Sequence, residues 1–274
     1  MSDPGLADVS CVGPTDCVAV GTLGPTARWN GSTWTPLARI GVESRAGFDL
    51  ISCTGPGLCV TGGVSDGPNN LFVLQRDKWQ DYAVEGLVEV DAVSCASARF
   101  CMALNGRSRL ATTWNGTKWA SPAVDVPGES DLSSVSCPTA SFCLATNGSG
   151  GGYAIFSGRS WQYTPAPLGE VNAVSCATPD YCVTGGLSGA SSMWNGTSWS
   201  HIAAPRVNFA SVSCPELGVC LAATDGGDVE TLTSAGWTTM ANLDPDNGLV
   251  AIDCPTTRTC LAISGTDQSF VYRG

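Results

Sequence analysis

Along the chain, apolar residues come in short runs separated by loops of Gly, Pro, Ser, Thr, Asn and Asp, and none of them follows the 3.6-residue spacing of an amphipathic helix. One kind of run ends in a β-branched residue and a small polar one before a cysteine: Val9-Ser10, Ile51-Ser52, Val93-Ser94, Val135-Ser136, Val174-Ser175, Val212-Ser213 and Ile252-Asp253. A second kind starts at the next cysteine, as in CVAVG, CVTGG, CMALN, CLATN, CLAAT and CLAIS, after a five-residue turn. The two read as short strands joined in a hairpin. A polar loop then leads to an apolar or aromatic segment, a tight turn and a tryptophan, clearest in TARWNGSTW (26–34), TTWNGTKW (112–119) and SMWNGTSW (192–199). Asn-Gly between strand-like residues predicts a hairpin with a type I′ turn. Each unit therefore predicts four strands.

The unit occurs seven times. Its cysteine pairs are Cys11/Cys17, Cys53/Cys59, Cys95/Cys101, Cys137/Cys143, Cys176/Cys182, Cys214/Cys220 and Cys254/Cys260, and successive first cysteines lie 42, 42, 42, 39, 38 and 40 residues apart. A period near 40 with four strands per unit predicts an all-β, seven-bladed β-propeller. It is expected to be one domain over 1–274, with blades near 5–42, 43–86, 87–129, 130–169, 170–206, 207–247 and 248–274. A parallel β-helix would need shorter rungs. In the seventh copy, CLAISGTDQSFVYRG stops where Tyr272-Arg273-Gly274 aligns with the turn. That blade is expected to hold three strands, with an open outer edge able to pair with another strand.

Fourteen cysteines in seven equal pairs, with His201 as the one histidine, favour one disulfide per blade over zinc, which wants four convergent ligands. No metal and no cofactor are expected. Disulfides imply an oxidising compartment, hence secretion or display at the cell surface. Met1 is followed by SDPGLADVS, without an apolar signal segment, so the chain is expected to be the processed form or a piece of a longer protein. A net charge of −11, with only 13 Lys and Arg, offers no basic surface for nucleic acid. No apolar run reaches the roughly 18 residues of a spanning helix, so no membrane insertion is expected.

Tryptophan opens the fourth strand in the first six copies, as Trp34, Trp79, Trp119, Trp161, Trp199 and Trp237. That regularity predicts packing between blades. The residue before the turn varies: Trp29, Leu74, Trp114, Phe156, Trp194, Leu232 and Tyr272. Anchoring is the favoured role here too, and for Trp29, Trp114 and Trp194 the other reading is stacking on a ligand. The sequons at Asn30, Asn115, Asn147 and Asn195 are explained by turns.

The x-W-N-G-x-x-W hairpin resembles a relaxed Asp-box, the S-x-D-x-G-x-T-W turn of sialidase-like propellers, with Asn30, Asn115 and Asn195 in place of Asp. The whole unit, VSC-x5-CVAVG followed by WNGxxW, is similar to repeats of secreted actinobacterial proteins. The resemblance implies a propeller and, by kinship with seven-bladed lectins, sugar binding.

In such a ring, the loops between second and third strands share one face with the channel mouth, and vary from copy to copy. They contain Asp66, Asn69, Asn70, Asn105, Arg107, Asn147, Asp225, Asp228 and Asp267. Four residues before each first cysteine, at the mouth itself, stand Ala7, Asp49, Asp91, Ser133, Asn172, Ala210 and Val250. The candidate ligand residues are thus Asp49, Asp66, Asn70, Asp91, Arg107, Asn172, Asp225 and Asp228, with Trp29, Trp114 and Trp194. No catalytic residue is assigned, because His201 lies in an outer strand and no arginine triad of the sialidase kind recurs. The expected function is a secreted, lectin-like recognition module for a glycan. A scaffold for a secreted protein partner is the alternative, and a glycosidase or lyase a weaker one.

Overall fold

The computed structural model describes residues 5–40, 47–55, 57–64, 70–128, 131–150, 152–165, 169–266 and 268–274. Blade one is β1 (Leu6–Gly13), β2 (Asp16–Gly21), β3 (Thr26–Trp29) and β4 (Trp34–Pro36), and blade two β5 (Gly47–Thr54), β6 (Leu58–Val64), β7 (Leu71–Gln75) and β8 (Lys78–Tyr82). Blade three is β9 (Ala92–Ser97), β10 (Phe100–Asn105), β11 (Leu110–Trp114) and β12 (Val124–Asp125), and blade four β13 (Leu132–Thr139), β14 (Phe142–Asn147), β15 (Gly152–Phe156) and β16 (Trp161–Pro165). Blade five is β17 (Val171–Thr178), β18 (Tyr181–Gly186), β19 (Ser192–Trp194) and β20 (Trp199–His201), and blade six β21 (Phe209–Glu216), β22 (Val219–Thr224), β23 (Asp228–Thr233) and β24 (Gly236–Asn242). Blade seven has only β25 (Leu249–Thr256), β26 (Thr259–Ser264) and β27 (Ser269–Arg273). The protein is a seven-bladed propeller with six four-stranded sheets and one three-stranded sheet.

The first strands pack side by side around a central channel, with β25 closing onto β1. Second strands are buried along almost their whole length, because each is covered by a neighbouring blade on both faces. That is why CVAVG and its copies are continuous runs of small apolar residues with no polar alternation. Ala19, Ala103, Ala145 and Ala222 have no exposed surface. At Gly62 a Cβ would approach Val90 to 2.7 Å, and at Gly185 it would approach Phe209 to 2.8 Å, so glycine sets how closely these blades stack.

All seven disulfides form between first and second strands: Cys11–Cys17, Cys53–Cys59, Cys95–Cys101, Cys137–Cys143, Cys176–Cys182, Cys214–Cys220 and Cys254–Cys260. Their Cα atoms lie 3.9–4.2 Å apart, and no described cysteine is free. In each bridge the second-strand cysteine is the more buried end. The second-strand cysteines are sealed between blades, with Cys59 at 2% exposure and Cys101, Cys143, Cys182 and Cys220 at 0%. Such a set suits an oxidising environment. No helix among the described residues is long and apolar enough to cross a membrane.

The Asn-Gly turns differ from the type I′ expectation. Only Gly31, Gly116 and Gly196 have positive φ, at 94°, 99° and 91°, and the preceding asparagines do not. Asn30 Oδ1 instead accepts from the N–H groups of Ser32 and Thr33 at 3.0 and 2.9 Å, and Asn115 and Asn195 repeat this. The side chain thereby holds Asn before the turn, leaving Gly as the first central residue, as in a type II′ turn.

Between blades lie seven apolar cores. In six of them the tryptophan that follows the second hairpin turn lies against the preceding blade: Trp79, Trp119, Trp161, Trp199, Trp237 and Trp34. In blade three this residue does not open the fourth strand as expected, since Trp119 precedes β12 and makes only an isolated bridge to Trp114. Trp237 Nε1 donates to Ser191 Oγ in blade five at 2.8 Å, and Trp34 Nε1 donates to Ser269 Oγ in blade seven at 3.0 Å.

The polar residue before each first cysteine stitches the ring together. The backbone N–H of Cys53 donates to Ser10 Oγ at 2.9 Å, Cys95 to Ser52 at 2.9 Å, Cys137 to Ser94 at 2.9 Å and Cys176 to Ser136 at 2.9 Å. Cys214 donates to Ser175 and Cys254 to Ser213, both at 3.0 Å. The last join uses Asp253, whose Oδ2 accepts from the Cys11 N–H at 2.6 Å. Seven hydrogen bonds thus run from blade to blade until the circle closes.

Reduction of the disulfides removes about 2.3 kcal/mol per seven-residue loop in the chain-entropy account, so thermal melts with and without verified reduction should differ sharply. Ser94→Ala leaves the Cys137 N–H without its acceptor and should cost about 1–3 kcal/mol in denaturant titration, whereas Asp253→Ser restores the group used at the other six joins and should melt no lower than the parent at pH 8.

Candidate functional site

The channel is a cavity of about 470 Å³. Six first strands carry a register irregularity four residues before the cysteine, at Ala7, Asp49, Ser133, Asn172, Ala210 and Val250. A bulge can re-aim the side chain it carries, and all six of these residues line the channel, with the residue after them in every one of these blades but the seventh. In blade three Asp91 stands just before β9 and lines the cavity too. The candidate residues Asp49, Asp91 and Asn172 therefore share one site.

Asp91 also borders a second opening of about 320 Å³ between blades three and four, with Arg107, Asp131 and Ser133. Its Oδ2 accepts from the Gly106 N–H at 2.7 Å, and Asp131 Oδ2 accepts from Ser149 Oγ at 3.0 Å. Arg107 is exposed on the rim.

Other candidates lie elsewhere. Asn70 is buried and its Nδ2 donates to the Leu87 carbonyl at 2.8 Å, which holds a loop in place. Asp225 accepts from Asn208 Nδ2 and Asp228 from Asn242 Nδ2, each at 2.8 Å, and neither lines the channel. Asp66, Asn69 and Asp267 lie outside the described residues. For the tryptophans the stacking reading is corrected. Trp29, Trp114 and Trp194 are 8%, 1% and 5% exposed and rest against Trp34, Trp119 and Trp199, with ring centroids 5.5, 5.6 and 5.5 Å apart. Their faces are spent on the blade cores, so no ring surface is left for a sugar.

The disulfides hold this site without entering it. Cys59, Cys101, Cys143, Cys182 and Cys220 each sit in an interblade core, where they pack against apolar side chains of the adjoining blade. None of the fourteen cysteines lines the channel. Their burial follows from the strand they open, since the second strand is covered on both faces.

Three carboxylates were not singled out by the sequence: Asp8, Glu89 and Asp253. Two of them had a signal, because they break the repeat. The position before the cysteine is Ser in six copies and Asp in the seventh, and the position two before that is acidic only in the first copy, at Asp8. Both face the channel at the join between blades seven and one. Asp8 Oδ2 accepts from the Ile51 N–H at 2.7 Å and Oδ1 from the Val9 N–H at 2.8 Å. Burial pushes the Asp8 carboxyl up to about 7, with Asp253 and Asp49 adding like-charge repulsion against those two N–H bonds. Burial also raises Asp253, and burial followed by the Asp91 charge raises Asp49.

The site is thus a concave, strongly acidic mouth. Five carboxylates line it, and no Lys, Arg or His does among the described residues. His201 is exposed on β20, away from the channel. No group of three or more His, Cys, Asp or Glu able to hold a metal ion occurs among the described residues.

A carboxyl whose folded value lies above its unfolded one binds its proton more tightly when folded, so its contribution to stability is present at low pH and is lost as pH rises through the folded value. For Asp8 the window runs from 3.8 to about 7. The parent should therefore lose unfolding free energy between pH 5 and pH 8. Asp8→Asn, which keeps an oxygen for the Ile51 N–H, should flatten that slope in melts at the two pH values.

No protein-family model matches the chain, and no curated protein matches its sequence. Its fold is shared with solved structures. YCF48 bound to D1 peptide is similar at 13% identity and a TM-score of 0.76, over 100% of this chain and 94% of that one. YCF48 from Cyanidioschyzon merolae gives 13% and 0.73, over 99% and 96%. The RRP9 WD40 repeats give 9% and 0.78, over 96% and 88%. At such identities the likeness is one of fold, a seven-bladed propeller.

Proposed function

We propose that this chain is a secreted, non-enzymatic recognition module whose channel mouth receives a positively charged segment of a partner protein. The observation that carries the reading is the set Asp8, Asp49, Glu89, Asp91 and Asp253 in one cavity, with no cation among its described lining residues. Crowded, partly desolvated carboxylates hold protons more tightly than free ones, and an incoming ammonium or guanidinium can take the proton's place. Propellers present such a mouth as a concave surface framed by rigid blades, the usual form of a binding site. The YCF48 propeller holds a peptide, which supports the polypeptide class of ligand without fixing the site. Seven disulfides support secretion.

A second reading is the glycan. Asn172, Ser133, Asp49 and Asp91 around the mouth are suited to accept or donate hydrogen bonds to hydroxyl groups. It lacks the aromatic platform it was expected to have, since Trp29, Trp114 and Trp194 are buried.

The two readings separate on salt and pH. A synthetic Arg/Gly-repeat peptide should bind in isothermal titration, weaken about tenfold or more from low salt to about 0.5 M, and bind more tightly at pH 8 than at pH 6 as the Asp8 proton is lost. Asp49→Asn with Asp91→Asn should weaken it while leaving the melting temperature in place. Salt-insensitive binding on a neutral glycan array, with no peptide binding, would replace the first reading by the second.

A further inference from the structure

The opening between blades three and four shares Asp91 and Ser133 with the channel wall, so the two are contiguous. Its frame is pinned from both blades. The Asp131 N–H donates to the Gly106 carbonyl at 3.0 Å, and the Asp131 carbonyl accepts from the Gly148 N–H at 2.8 Å. Asp131 has a φ of 75°, a region few residues other than glycine adopt, and these two bonds hold it there. At Gly106 a Cβ would come within 2.0 Å of the Leu132 carbonyl oxygen, so the loop of blade three lies directly on the start of β13.

Arg107 stands in that loop, among residues that are tied down. The Ser108 N–H donates to Asn105 Oδ1 at 2.7 Å, the Arg109 carbonyl accepts from the Val126 N–H at 2.8 Å, and Arg109 Nη1 donates to the Gly128 carbonyl at 2.5 Å. The Arg107 side chain, in contrast, makes no hydrogen bond or ion pair among the described residues. The two carboxylates that line the opening with it are engaged by other groups, Asp91 by the Gly106 N–H and Asp131 by Ser149 Oγ. Arg107 is also the one Lys, Arg or His among the described residues lining either opening. Around the channel the carboxylates come from blades seven, one, two and three, and hydroxyl and amide groups follow at Ser133, Ser134 and Asn172 on blades four and five. The single positive charge stands where the acidic wall gives way to the neutral one.

We propose that Arg107 determines which basic segment the mouth accepts, by pairing with a carboxylate that lies within a few residues of the cation held in the channel. The preferred partner is then a bipolar polypeptide segment and not a uniformly basic one. The inference rests on the channel reading and names the second charge of its occupant. A guanidinium offers a planar fork of N–H donors that matches a carboxylate, and an extended chain, rising about 3.3 Å per residue, crosses such an opening in about two or three residues. The carboxylate can belong to an acidic side chain or to a chain end, since both present the same pair of oxygens.

The test compares acetylated, amidated Arg/Gly-repeat peptides extended by Asp-Gly or by Asn-Gly, at either end, in calorimetric titrations of the intact protein at pH 8 and low salt. Against a protein of net charge −11, general electrostatics make the Asp peptide the weaker ligand. Pairing with Arg107 reverses the order at one of the two ends, by about twofold to fivefold as for an exposed ion pair. The bare repeat with a free terminal carboxylate separates the two sources, because tighter binding than its amidated form assigns the carboxylate to a chain end. Arg107→Gln should abolish the preference for a carboxylate, leave the melting temperature in place, and bind the bare amidated repeat at least as tightly as the parent does. Arg109→Gln, which removes a guanidinium already spent on Gly128, should keep the preference. The proposal is overturned if no carboxylate-bearing peptide binds the parent more tightly than its neutral counterpart, if Arg107→Gln retains the preference, or if Arg109→Gln removes it equally. Binding of the bare repeat in those cases leaves the channel reading standing, whereas absence of binding by every peptide sinks both.

Discussion

Seven sheets can close into a circle only if the inner strand of each finds something on the next that satisfies its own backbone. A buried N–H without a partner costs about as much as a lost hydrogen bond, and each first cysteine has one that points across the join. The serine before the preceding cysteine answers it, from Ser10 to Cys53 and onward to Ser213 and Cys254. This contact explains why a hydroxyl recurs beside the disulfide. The disulfide fixes the hairpin, the hairpin fixes the serine, and the serine fixes the neighbouring blade.

The last join is chemically different from the rest. Asp253 accepts from Cys11 with a carboxylate oxygen and also receives Ser213 Oγ at 3.1 Å. One blade on, Asp8 makes a second rung to Ile51, a job that Ser134 does for Val174 at 3.1 Å in blade four. A charged acceptor makes a stronger bond to an N–H than a hydroxyl does, but two carboxyls facing one narrow channel repel and are poorly hydrated. Their raised pKa values express that cost. The closure of the ring and the acidity of its mouth thus come from the same side chains.

Much of the fold was legible because it is written seven times. The cysteine pairs, the tryptophans and the missing fourth strand all follow from the period, and single deviations average out. What failed was local and one-off. Asn-Gly implied a turn with two left-handed residues, but the asparagine side chain captured two N–H groups and kept its own backbone out of that region. The site was half legible. Position four before the cysteine identified Asp49, Asp91 and Asn172, yet the bulge that aims such residues inward has no signature in Ala, Asp, Ser, Asn and Val. For Trp29, Trp114 and Trp194 the sequence favoured anchoring and left stacking on a ligand as the other reading. Only the distances to Trp34, Trp119 and Trp199 decide it.

In a molecule of this kind, repetition accounts for stability, so residues that obey the repeat carry little information about function. Departures from it carry more, because a repeat position filled by the common residue would have served the fold equally well. Serine closes six joins, and Asp253 closes the seventh at an electrostatic cost. A hydroxyl in its place would have accepted the same Cys11 N–H without setting a second buried carboxyl against Asp8. What the repeat leaves unexplained at this join is therefore the charge, and the charge lies on the wall of the channel.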